Sequence, residues 1–247
     1  MPAAWAQDTG PLRIGFRVVA PYVVQAADGA LSGLEYELVT TAAVAGGLDI
    51  RPEVAPFGRL PENFRRAQID GFTPASPAMD LPGCMSQTVL TYRNVAFSLR
   101  ENNLAIAAVS DLFRHDVIAF QNAALVLGAG MAAVARDNPD YREVANQMLQ
   151  VRALYSGRTD VVIADRRIFR YLSLSSDSGI DIGRPLVEHA LFPPTSYAVA
   201  FRQPEACAAF NNGLEQIMRD GRYDAILQHW ERTLQAARRA VPVRVPG

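Results

Sequence analysis

Apolar positions along the chain fall into two patterns that alternate: short, nearly continuous runs rich in β-branched residues, and stripes spaced three and four apart. Leu12 to Val19 is a run of the first kind and predicts a strand that stops at Ala20-Pro21, because proline removes a ladder donor. After the turn signal Asp28-Gly29, Ser32 stands where a helix cap belongs, Leu34, Leu38 and Ala42 share one helical face, and Gly46-Gly47 ends it. Ile50 to Ala55 predicts a second strand. Leu60, Phe64 and Ala67 then mark one face of a short helix leading to a third strand at Ile69-Asp70-Gly71-Phe72. Strand, helix, strand, helix, strand is the signature of a parallel sheet covered by helices.

The middle of the chain repeats that logic as a separate unit. Asn94 to Ser98, Leu104 to Ala107, Val117 to Phe120 and Val161 to Ala164 read as strands, and Ser110-Asp111-Leu112 as a helical turn. Pro139 opens a predicted helix through Val144 and Met148 that Gly157 breaks. A second α/β lobe is therefore expected over about residues 93–193. The C-terminal part reads as two helices. One starts near Pro204 with Phe210, Leu214, Ile217 and Met218 on one face; the other carries Tyr223, Ile226, Leu227, Trp230 and Leu234 as a packing stripe. Past Gln235 the arginines and prolines read as a frayed tail.

Composition narrows the function. With 247 residues, 49% of them hydrophobic, and a formal net charge of -1, the chain has the profile of a soluble globular protein large enough for two lobes. All 24 basic residues are arginine. A Walker-type phosphate loop, a pyridoxal Schiff base and a lysine nucleophile are excluded, since each needs the missing amine. The near-neutral charge argues against nucleic acid as a partner. His115, His189 and His229 lie too far apart for a zinc motif. Cys84 and Cys207 leave two options, buried thiols or one long-range disulfide. Gly128-Ala129-Gly130-Met131-Ala132-Ala133 satisfies a dinucleotide fingerprint, but the second strand and its acid are missing from the required place. No GxSxG nucleophile elbow is present.

Ala4-Trp5-Ala6 before Gln7-Asp8 reads as the small-x-small end of a secretory signal, so residues 1–7 are expected to be a signal remnant and tail; an ordinary alanine-rich tail is the alternative. No run approaches the roughly 20 apolar residues of a membrane helix. An exported, periplasmic protein is expected, and in that compartment a Cys84–Cys207 bridge is plausible.

The order of elements resembles the type 2 periplasmic solute-binding proteins, specifically the family serving polar amino acid ABC importers. The resemblance rests on Leu12 to Phe16, Gly33-Leu34-Glu35-Tyr36-Glu37-Leu38, Ala67-Gln68-Ile69-Asp70, Ser110-Asp111-Leu112, Gly157 to Asp165 and Asp220-Gly221-Arg222-Tyr223-Asp224, six segments in the family's order and spacing. It implies an α/β, two-lobe periplasmic binding protein type II fold. Residues 8–92 plus 194–247 would form lobe 1 and 93–193 lobe 2, with a two-strand hinge at about 92–97 and 193–199. It also implies a monomer that needs no cofactor and binds a small solute in the cleft between lobes for an ABC permease. A membrane sensor is the alternative partner, and a cyclohexadienyl dehydratase-like enzyme the alternative activity.

Departures from the family pattern fall among the site residues. The Thr-x-x-Arg segment, whose arginine forks onto a ligand carboxylate, is represented by Thr73 to Pro82 without any arginine. The second-lobe Gln-Gly-Thr-Thr loop appears as Gln121-Asn122-Ala123-Ala124. Both halves of the carboxylate clamp are altered, so a standard α-amino acid is not the expected ligand. Asp165 matches the acid that holds the ligand ammonium, and it can equally cap the helix that follows. Arg17 stands near the place of a family acid, either as a relocated carboxylate clamp or as a surface arginine. Tyr22 and Phe57 are candidates for an aromatic wall, with core burial the competing reading, more so for Phe57. Thr73 and Ser76 are expected hydroxyl contacts, and Arg93 and Arg166 are reserve cations.

Overall fold

The computed structural model describes residues 10–175 and 180–240; the expected signal remnant at 1–7 and the tail residues 241–247 lie outside the described residues. The chain opens with β1 (Leu12–Phe16), the short pair β2 (Val24–Gln25) and β3 (Leu31–Ser32), α1 (Leu34–Ala45), β4 (Ile50–Val54), α2 (Leu60–Arg65), β5 (Gly71–Ala75), β6 (Cys84–Met85) and β7 (Leu90–Tyr92). Then come β8 (Asn94–Leu99), β9 (Val117–Phe120), α3 (Ala123–Val126), α4 (Ala129–Asp137), β10 (Tyr141–Val144), α5 (Met148–Tyr155), β11 (Val161–Asp165), α6 (Arg166–Leu174) and β12 (Leu186–His189). β13 (Thr195–Phe201), α7 (Pro204–Arg219) and α8 (Arg222–Ala240) complete it. Two compact units result: residues 10–91 with 196–230, and residues 92–175, 180–195 and 231–240. Residues of α8 from 231 on group with the second unit, whereas the sequence placed all of them in the first.

The first unit is built on a sheet in the order β4-β1-β5-β13-β6. β1 runs parallel to β4 and β5, while β13 is antiparallel to β5 and β6. Ile14 and Phe16 on one face of β1 are buried, as are Leu34 and Leu38 on the stripe of α1, and the Phe16 ring meets that of Tyr36 with centroids 5.2 Å apart. α1 meets α7 at two glycines. A Cβ on Gly213 would stand 2.0 Å from the Ala42 carbonyl oxygen, and one on Gly46 2.2 Å from that of Ala209, so neither position can carry a side chain without separating the helices. Cys84 and Cys207 are joined in a disulfide, Cα atoms 6.1 Å apart, fastening β6 to α7.

The second unit's sheet runs β10-β9-β11-β8-β12, with β9 parallel to β10 and β11 and β8 antiparallel to its neighbours. Its central strands β9 and β11 are almost wholly apolar because both faces are covered. Val95, Phe97, Ile118, Val162 and Ala164 pack on one side in a core with Val151 and Phe169 of α5 and α6. The alternate residues Ala96, Val117, Ala119, Val161 and Ile163 pack on the other with Met131 and Val134 of α4.

Several local expectations are corrected. Leu104 to Ala107 forms no strand: β8, the strand before it, already has β11 on one side and β12 on the other. His189 instead ties the segment down, its Nδ1 3.1 Å from the Ile106 carbonyl and its Nε2 2.9 Å from Ser98 Oγ. Pro139 does not open a helix. Asn138 donates to the Leu112 and His115 carbonyls and accepts the Asp140 amide, a side-chain turn that feeds Tyr141 to Val144 into strand β10. Ser32 is no cap, since α1 starts after Gly33 at φ 124° and its first amides, on Leu34, Glu35 and Tyr36, donate to the backbone carbonyls of Pro21 and Tyr22. β1 ends at Phe16 rather than Val19, and Ala67 leaves the helical face at φ 59°. Met218 is 40% exposed, off the buried stripe of Phe210, Leu214 and Ile217. α8 continues to Ala240, past the expected start of the tail.

Asp70 receives three donors from Arg13, namely the backbone amide, Nε and Nη2, each at 2.9 Å. The Arg13 side-chain hydrogen bond outweighs partial burial and holds the Asp70 carboxyl below its usual range. A depressed folded-state value means the unfolded chain binds the proton more readily, so this contribution is complete above about pH 4 and is lost as pH falls through the folded value. Acid titration of urea stability is expected to fall less steeply below about pH 4 in Asp70→Asn than in the wild type; parallel slopes would contradict the assignment.

Candidate functional site

In open α/β sheets ligands bind outside the carboxyl ends of the parallel strands, and each unit collects its candidate residues at that edge. In the first unit, Phe16 at the end of β1 pairs with Val54 and with Thr73. Arg17, the segment leading to Phe57, and Thr73 to Ser76 therefore share one edge. Arg17 is half-buried and places its guanidinium 5.2 Å from the centroid of the Phe57 ring. It makes no ion pair with any described carboxylate. The Phe57 face thus holds the cation in place without neutralising it.

Thr73 is fully buried and its hydroxyl donates to Glu35, a carboxylate only 2% exposed on the first turn of α1. Glu35 was missed as a site residue. The signal was present, since it stands three and four residues before Leu38 and Val39 and so falls on the buried stripe of α1. Ser76 is half-buried, its hydroxyl without a partner among the described residues. Tyr22 is 0% exposed, whereas Phe57 is partly open, the reverse of the expected order of core burial.

In the second unit the parallel strands β10, β9 and β11 end at Val144, Phe120 and Asp165, and Asn94 at the start of antiparallel β8 pairs with Asp165. The loops carrying Gln121, Asn122, Arg93 and Arg166 start from this edge. Asp165 is 3% exposed and caps α6: Oδ1 accepts the amides of Arg167 at 2.9 Å and Ile168 at 3.1 Å, and Oδ2 that of Arg93 at 2.9 Å. The capping role is thereby observed. Asp165→Ala is expected to cost about 2 kcal/mol, because it leaves buried amides without an acceptor. Urea unfolding checks this, and a change under about 0.5 kcal/mol would contradict it.

Arg166 pairs with Glu188, which also accepts from Arg170 at 2.7 Å. The Nε of Arg166 and the Oε1 of Gln147 are buried without a hydrogen-bond partner. Gln121 and Asn122 expose their side chains, and Asn122 adopts a left-handed φ of 67°. Their backbone matters more than their side chains: the Asn122 and Ala124 amides both donate to Glu143, at 2.6 and 2.9 Å. Glu143 was also missed, because its segment reads as helix in sequence; as a strand, Tyr141 and Glu143 lie on one face at i, i+2.

A profile of the bacterial extracellular solute-binding proteins, family 3, matches residues 12–233. No curated protein matches the chain. Among solved structures it is similar to the arginine-, lysine-, histidine-binding protein ArtJ of Geobacillus stearothermophilus, with 16% identity, 90% of this chain and 95% of that one covered, and a TM-score of 0.69. The ancestral amino acid-binding protein AncCDT-1, a precursor of cyclohexadienyl dehydratase, matches at 21% identity, 90% and 95% coverage and TM-score 0.67. A histidine kinase sensor domain with similarity to periplasmic binding proteins matches at 18% identity, 89% and 95% coverage and TM-score 0.70. At these identities the likeness is one of fold, the mixed α/β architecture of the two-lobe periplasmic binding proteins that the order of elements implies.

Proposed function

The chain belongs to the bacterial extracellular solute-binding proteins of family 3, and from that premise we propose that it captures a small polar or carboxylate-bearing solute for an ABC-type membrane permease. The solute is not a standard α-amino acid held by the usual arginine clamp. One observation carries this reading: Arg17 sits at the carboxyl edge of the first unit's parallel strands, stacked on Phe57 and without an ion pair among the described residues. A guanidinium held in this way is prepared to fork onto a carboxylate or similar oxyanion.

The two units act as the family's two lobes, and the chain passes between them at 91–92, 195–196 and, within α8, 230–231. The first brings Arg17, Phe57, Thr73 and Ser76 to the ends of its strands, and the second brings Asp165 and the Gln121–Asn122 loop to the ends of its own. The protein binds without chemical conversion and works outside the cytoplasm, which the Cys84–Cys207 bridge supports, since disulfides persist in oxidising compartments. Thermal-shift screening against organic acids, amines, aromatic acids and standard L-amino acids tests the proposal. Stabilisation by a carboxylate-bearing solute outside the standard amino acids supports it, and conversion of that solute by the protein would contradict it.

A further inference from the structure

A hollow of about 380 Å³ opens in the first unit between the edge strand β4 and α2, and it runs back to Arg13 and Arg51 near the amino ends of β1 and β4. Gly15 accounts for its place. A Cβ there would stand 2.7 Å from Leu60 Cδ2 and 2.9 Å from Ile69 Cδ1, so these side chains settle directly on β1. Leu60 and Phe64 of α2 are buried with Ile69 and Phe72, while Arg51 and Val54 of β4 stay exposed. β4 therefore projects past its cover. Arg51 and Glu53, in register with Arg13 and Gly15, line the gap this leaves. Arg13 is committed to Asp70 and to the Ala67 carbonyl, and Arg51 Nε lies 3.2 Å from Glu53 Oε1. The terminal nitrogens of Arg51 and the side-chain carboxamides of Asn63 and Gln68 have no partner among the described residues. Buried Leu60 and Ile69 give the hollow an apolar floor.

We propose that this hollow is a second binding site, independent of Arg17, for a small uncharged solute rich in hydroxyl groups and of about monosaccharide size. Charge decides the class. An anion would meet the Glu53 carboxylate and a cation the guanidinium groups of Arg13 and Arg51, so either is opposed. Carboxamides donate and accept, as hydroxyls do, and the apolar floor takes the carbon-bound face of such a solute. The volume lies within the range of small-molecule pockets. A peptide strand is not the occupant. The Asp49 carbonyl and the Ala55 amide both bond to β1, so the intervening even-numbered residues turn their backbone groups to the open edge, where Pro52 has no N–H to offer.

The test follows backbone amide shifts of the full chain by NMR during titration with D-glucose and myo-inositol, and separately with sodium acetate and methylammonium chloride. Saturable shifts at Val54, Asn63, Gln68 and Ile69 are expected with at least one of the two hydroxylated probes, at a dissociation constant in the millimolar range. Neither ion is expected to saturate these amides. Replacing both Asn63 and Gln68 with alanine is expected to weaken the response at least about tenfold, because it removes the hydrogen-bonding groups left without partners. No saturable shift with either hydroxylated probe, saturation by either ion, or an unchanged response in that variant would overturn the proposal. If the variant fails to fold, Glu53→Gln replaces it. Losing the repelling carboxylate is expected to admit acetate, with saturable shifts at the same amides, and a Glu53→Gln protein that still excludes acetate would overturn the proposal equally.

Discussion

Arg17→Ala is expected to weaken solute binding by roughly 10- to 150-fold, the equivalent of losing charge-assisted hydrogen bonds worth about 1.5 to 3 kcal/mol. Stability should barely change. Arg17 is half-buried, follows the last residue of β1, and has no carboxylate partner whose charge would be stranded by its removal. Its contact with the Phe57 ring contributes about 0.5 to 1 kcal/mol at such a site. Arg17→Lys separates two explanations. If only positive charge matters, lysine should keep most of the affinity; if the planar fork and its stacking on Phe57 matter, lysine should lose a large share of it. Isothermal titration of the three proteins with the solute that best stabilises the wild type is the measurement, and equal affinities would remove Arg17 from the site.

The second large effect concerns the fold that carries this edge. Replacing both Cys84 and Cys207 with serine is expected to lower stability by about 2 to 5 kcal/mol. The bridge closes a separation of 123 residues, an interval that contains most of the second unit, so in the chain-entropy account its removal releases a long loop in the unfolded state. It also acts locally. β6 is a two-residue strand at the end of the sheet order, pairing Met85 with Ala200 and Cys84 with Phe201. The disulfide ties that strand covalently to α7, beside the hydrogen bonds from Gln87 to Asn211 and Glu215. Urea unfolding with and without reductant should show the wild type shifting toward the double variant on reduction; a difference below about 1 kcal/mol would contradict this role.

The strand cores of both units were legible because each buried strand is short, apolar and flanked by turn residues. Val161 to Ala164 and Val117 to Phe120 could hardly be read otherwise. The errors arose where tertiary pairing decides. Leu104 to Ala107 has the composition of a strand, but both edges of β8 were already occupied. Tyr141 to Val144 follows a proline that suits a helix start, yet the Asn138 side chain redirects the chain into a strand. That single misreading hid Glu143, because a helix places Tyr141 and Glu143 on different faces and a strand places them together.

The site was legible in its residue types more than in its arrangement. The absence of arginine between Thr73 and Pro82 is a plain fact of sequence, and it directed attention to Arg17, which the structure sets on Phe57. Asp165 was read with two roles, and its three backbone donors display the capping one. Glu35 falls on the buried stripe of α1 in sequence, but a carboxylate there draws notice as a site residue only once a buried partner such as the hydroxyl of Thr73 is seen.

The central claim is that this binding protein recognises an anionic solute through Arg17 and not through an amino acid clamp. A thermal-shift comparison of wild type and Arg17→Ala, each against the same set of organic acids, aromatic acids, amines and standard L-amino acids, tests it most directly. The account predicts that at least one carboxylate-bearing solute outside the standard amino acids stabilises the wild type, and that the shift disappears in Arg17→Ala. Stabilisation by standard L-amino acids alone, undiminished in Arg17→Ala, would contradict it.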